Sequence, residues 1–146
     1  MKKEYMDFMM SSGQLRIRQV DKERVKSIVK SAETNAGVVR NITLIEDSAT
    51  VIFREIYESI RQLGDAYWWL NGFEPLNHEI SLEILKEMNI KDKIKLNHLS
   101  RFKKIRNDAN YRGFKISVAQ AKEIIEFWDV CGRDIIKKLY QKVASL

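Results

Sequence analysis

The 146-residue chain has one cysteine, Cys131, one proline, Pro75, two histidines and six glycines. A lone thiol permits no intramolecular disulfide, so a reducing, cytoplasmic setting is expected and the fold must rest on its core. Cys131 itself is expected on the inner face of the last helix as a small apolar residue. With so few breakers, long helices are favoured over many short strands. No His/Cys/carboxylate run has ligand spacing, so no metal site is expected, and neither His78 nor His98 is assigned a metal role. GxxxxGK[ST], GxGxxG and GxSxG are all absent, which removes phosphate loops and nucleophile elbows. No cofactor is expected either, and Met6, Met9 and Met10 form no cofactor box. No apolar run reaches the length of a signal sequence or a membrane span.

What is present suits one folded domain. Hydrophobic residues make up 45% of the chain and charged residues 32%, a balance that argues against disorder. The net charge of +6 is unevenly spread. Between Lys91 and Lys115 nine basic residues (Lys91, Lys93, Lys95, Arg101, Lys103, Lys104, Arg106, Arg112 and Lys115) face only Asp92 and Asp108. Such a block is the electrostatic footprint expected of a polyanion-binding protein, and also of a plain solvated face.

Residues 1–20 read as an N-terminal arm. QLRIRQV, residues 14–20, alternates weakly, but a short isolated strand would have nothing to pair with. The bundle domain spans residues 21–146. Asp21 caps a first helix to about Arg40, with Val25, Ile28, Val29, Ala32, Ala36 and Val39 at helical spacing. A second runs from about Ile45 to Leu70 along an apolar stripe from Ile45 through Ile52, Ile56, Ile60 and Leu63. On another of its faces Tyr57, Arg61 and Trp68 form a line expected to meet a second subunit, since aromatics and arginine are enriched at interfaces. Trp69 and Trp128 are expected in core or interface. Asn71 to Pro75 breaks the helix as a turn, and Asn77 caps a shorter helix, 78–89, with Ile80, Ile84, Leu85 and Met88 inward. After a helix ending at Gly113, Ser117 caps a last long helix whose stripe runs from Val118 to Val143. The fold class is all-α: an up-and-down bundle of four long helices plus a shorter one.

The helix before Gly113 carries the unusual chemistry. With Leu99 at zero on a wheel of roughly 100° per residue, Arg106 falls at roughly 340° and Asn110 at roughly 20°, inside the apolar arc of Leu96, Phe102, Ile105 and Ala109. A cation there must be paired, reach water along its stem, or line a cleft. Two readings are open: a structural ion pair, with Glu55 as the candidate partner, or a polar cleft that binds an anion.

The stretch KKIRNDANYRG, the long helix IFREIYESIRQLGDAYWWLNGF before it and NHE at a helix start resemble the prokaryotic HEPN domain family over roughly residues 22–144. The resemblance implies a bundle of four or five helices, typically dimeric. The family signature is an Arg, often followed by Asn, then four to six residues to a His; Arg106-Asn107 match its start, and Tyr111 stands where the His would first fall. The resemblance implies a metal-independent ribonuclease, or a nucleotide-binding relative that has lost cleavage, with Arg106, Asn107 and Tyr111 as catalytic residues. RNA or a nucleotide is then expected to meet Arg101, Lys103, Lys104, Arg106, Asn110 and Arg112. The family further implies a homodimer, and a toxin–antitoxin pairing in which a small nucleotidyltransferase is the partner protein. A phenol, ordinarily titrating near about 10, is a poor general base at neutral pH, so cleavage is expected to be weak or lost. The alternative is a non-enzymatic helical interaction module in which the Arg/Asn/Tyr cluster only fixes the bundle.

Overall fold

In the computed structural model, which describes residues 1–146, the chain is an all-α bundle with one two-stranded ribbon. Helices α1 (Lys3–Ser11), α2 (Lys22–Arg40), α3 (Glu46–Leu70), α4 (Leu99–Arg112), α5 (Val118–Phe127) and α6 (Arg133–Ala144) are its long elements. No helix is long and apolar enough to cross a membrane.

Capping follows from local chemistry. The Asp21 side chain accepts the Arg24 N–H at 3.0 Å and opens α2. Ser48 Oγ accepts the Ile45 N–H at 3.0 Å and donates to the Thr43 carbonyl at 2.6 Å, tying down the entry to α3. Ser117 and Gln120 form a reciprocal capping box at the start of α5. Gly113, at φ 69°, takes the left-handed conformation that ends α4.

The main core lies where α3 is wrapped by α2, α4, α5 and α6, with Phe102 of α4 edge-on to both Phe53 and Phe127. α5 and α6 form the single long helix expected from the sequence, interrupted by one π turn over Trp128–Gly132. The turn stacks the Trp128 indole over Gly132, where an added Cβ would sit 2.8 Å from the ring. Cys131 is buried on the inner face, as its place in the stripe implies.

Two segments differ from the sequence reading. The N-terminal arm does have a pairing partner: β1 (Leu15–Ile17) runs antiparallel to β2 (Phe73–Pro75), with Leu15 opposite Pro75 and Ile17 opposite Phe73. Met9 and Leu15 thereby meet Trp68, Ile80 and Ile84 in a small second core. Residues 78–89, expected as one α-helix, form two 3-10 segments, His78–Ile80 and Ile84–Glu87. Asn77 does cap the first, its Oδ1 accepting the Glu79 N–H at 2.7 Å. The Ile80 carbonyl, however, accepts from Glu83 N and from Trp68 Nε1 instead of from the fourth residue on. Ile80, Ile84, Leu85 and Met88 are nonetheless buried.

Candidate functional site

The site is built on α4, whose C-terminal half is polar because its apolar arc narrows after Phe102 and Ile105. Arg106 is half-buried, and its guanidinium lies over the Tyr57 ring, 5.6 Å from the centroid. Its Nη1 donates to Asn107 Oδ1 at 3.2 Å. No carboxylate stands within ion-pair distance of Arg106, and Glu55, the candidate partner, is exposed on α3 and makes no ion pair. The structural ion pair with Glu55 is therefore absent. Burial pushes the Tyr57 hydroxyl up to about 12, against the pull of Arg106 and Arg61, so the ring beneath Arg106 is a neutral phenol.

The other sequence-derived residues divide between two flanks of α4. Lys103, Arg106, Asn107 and Asn110 fall within roughly 100° of one another on the wheel, on the side facing α3 and the His78–Ile80 turn. Lys103 pairs there with Glu79. Arg101 and Arg112 fall on the opposite flank, toward α5, where Arg101 pairs with Glu123. Tyr111 lies roughly 140° round the helix from Arg106, so within one chain the two side chains diverge. It is 78% exposed. Lys104 is held by Asp108, one turn on, at 3.2 Å. His98 faces Glu123 at 3.7 Å and Phe102, on the flank away from Arg106.

Two features of the site were missed in the sequence. Phe114, just past Gly113, is 56% exposed, and Arg112 lies 5.9 Å from its ring centroid. Beside it a concavity of about 400 Å3 is lined by Ile105, Asp108, Phe114, Lys115, Ile116 and Gln120. The end of α4 thus presents two exposed aromatic rings, Tyr111 and Phe114, with Arg112 and Lys115 beside Phe114 and Arg106 on the other flank of the helix. The signal was legible in part: an apolar residue directly after a helix-ending glycine has no helical stripe to join.

The presumed subunit contact is corrected. Trp68 is 1% exposed, covered by the chain's own arm, and its Nε1 donates to the Ile80 carbonyl at 2.9 Å. Tyr57 is buried in the main core. The Arg61 side chain is 11% exposed and is gripped by Glu58 at 2.5 Å and Asp65 at 2.8 Å. Burial holds Asp65 above the ordinary carboxylate range even though Ser81 donates to it at 2.6 Å and Arg61 lies beside it. Tyr57 and Trp68 are therefore not available to a second chain. The apolar surplus on α3 serves the second core instead.

Compared with family models, with curated proteins and with solved structures, the chain matches none.

Proposed function

We propose that this is a HEPN-like domain that binds single-stranded RNA or a nucleotide at the C-terminal end of α4. The observation that carries the reading is Arg106: a half-buried guanidinium that no carboxylate neutralises. Charge desolvated to that degree without a counter-ion is suited to an incoming phosphate. Tyr111 and Phe114 supply faces on which bases stack, and Asn107 and Asn110 supply hydrogen bonds. Cleavage is weak or lost, because Tyr111 replaces the signature His and points away from Arg106 within one chain. The resemblance to the HEPN family adds a homodimer and a toxin-like role beside a nucleotidyltransferase; a neighbouring reading frame for such an enzyme would test the latter.

A second reading, a silent interaction module, is favoured by one observation: Arg101, Lys103 and Lys104 are all engaged by carboxylates of the same chain. Arg106→Ala separates the two. If Arg106 meets phosphate, RNA affinity drops by about 1.5–3 kcal/mol, as for a hydrogen bond to a charged group, with little change in Tm. The salt dependence falls by about 0.7 for the lost contact. A variant that binds RNA like the wild type, at matched salt and with the fold intact, would end the RNA reading.

A further inference from the structure

A second concentration of unpaired positive charge lies away from α4. The link at Ile90–Lys91 packs on α6 through Asp134, whose Oδ2 accepts the Lys91 N–H at 2.9 Å. Two adjoining concavities, of about 240 and 270 Å3, follow this seam and share Ile90, Lys91, Asp134 and Lys137. One extends to Arg133 and the other to Lys138 and Gln141. None of Lys91, Arg133, Lys137 and Lys138 forms an ion pair. Of the two acids in the seam, Asp92 is balanced by Lys95 at 3.5 Å, while Asp134 holds the backbone of the link and leaves one carboxylate against the four cations Lys91, Arg133, Lys137 and Lys138.

From this we infer that the seam between the 89–92 link and α6 is a second phosphate-binding track, occupied by the backbone of a single-stranded RNA. Arg133, Lys137 and Gln141 follow one another at i, i+4 and i+8. Their donors therefore recur along one line at intervals of roughly 6 Å, with Lys91 across the groove. A row that long exceeds one free phosphate ion and suits successive phosphates of a strand. A recess also favours a strand, which can lie along it, over a flat headgroup surface, which meets only its rim. The choice of RNA rests on the function proposed above, but the residues do not overlap with those of α4.

The test is fluorescence anisotropy of a labelled oligouridylate with the full chain, comparing wild type, Arg106→Ala and the triple variant Lys91→Ala/Lys137→Ala/Lys138→Ala across a salt series. The triple variant is expected to lose about tenfold in affinity and to lower the salt slope by about 2, three contacts at about 0.7 each. Arginine at the same three positions is expected to restore both. Wild-type affinity and slope in the triple variant would overturn the track, whatever Arg106→Ala does. So would cosedimentation with phosphatidylserine vesicles that the triple variant loses while its RNA binding is unchanged. A loss in the triple variant with none in Arg106→Ala would uphold the track and remove the α4 site.

Discussion

Replacing Trp68 with alanine removes the largest fully buried side chain of the protein and the lid contact that holds its N-terminal arm. The ring packs against Met9, Leu15, Ile80 and Ile84 and lies edge-on to Phe73, with centroids 6.0 Å apart. Truncating a buried Trp or Phe to Ala costs about 3–5 kcal/mol. The Ile80 carbonyl also loses its indole donor, a loss worth about 1–3 kcal/mol where water does not replace it. The two terms overlap, because the cavity admits water to the carbonyl, so the expected total is about 4 kcal/mol. For a chain of this size that lowers Tm by on the order of 10 °C. Trp68→Phe keeps most of the ring and loses the hydrogen bond, and is expected to cost about 1–2 kcal/mol. Urea unfolding followed by circular dichroism, at several protein concentrations, measures both. A loss below about 1 kcal/mol for Trp68→Ala, ordinary for a surface substitution, would refute the second core. So would a wild-type midpoint that rises with protein concentration and a Trp68→Ala midpoint that does not, which would return Trp68 to a contact between chains.

Two further perturbations test the frame of the site. Gly64→Ala would place a Cβ 1.8 Å from the Ser81 carbonyl oxygen, a backbone collision. The helix-propensity gain of about 1 kcal/mol cannot offset overpacking of that kind, so a net loss of about 2 kcal/mol or more in urea is expected, and an unchanged midpoint would contradict it. The hydrogen bond from Arg101 lowers the Glu123 carboxyl below its ordinary 4.5. A depressed folded value means that the pair stabilises above the ordinary value and that this is lost as pH falls through the folded one. Glu123→Gln is therefore expected to be less stable than wild type by about 0.2–1 kcal/mol near neutrality, with the gap closing as pH falls below the ordinary carboxylate value and through the depressed one. A gap that stays constant down to acid would contradict the assignment.

The helical frame was legible because its signals are local. Asp21, Ser117 and Gly113 punctuate helices whose apolar stripes keep one period over many turns, and all three act as caps or stops in the structure. What was illegible depends on segments far apart in the chain. β1 is only three residues long, and its partner, Phe73–Pro75, reads as part of a turn. The spacing of Ile80, Ile84, Leu85 and Met88 gathers on one face only at the α-helical period, so the sequence points to an α-helix; the 3-10 turns follow from Trp68 claiming the Ile80 carbonyl and from the close pass of Ser81 over Gly64. Without the arm in place, the apolar surplus on α3 resembles a surface for another chain. Charge behaved likewise. The basic run from Lys91 to Lys115 is continuous in sequence, but Glu79, Glu123 and Asp108 neutralise Lys103, Arg101 and Lys104. Lys91 instead joins Lys137 and Lys138 on another element. Arg106 was legible as a misfit in its stripe, whereas its lack of a carboxylate partner was not, since only the fold determines which acids come near.

The most direct test of the account is a nuclear magnetic resonance titration of the 15N-labelled chain with an oligouridylate. The α4 site predicts that the amides of Arg106, Asn107, Tyr111, Arg112 and Phe114 shift together and saturate, and that Arg106→Ala weakens the response. Amides of residues 106–114 that stay unmoved at RNA concentrations saturating any other part of the chain would contradict it.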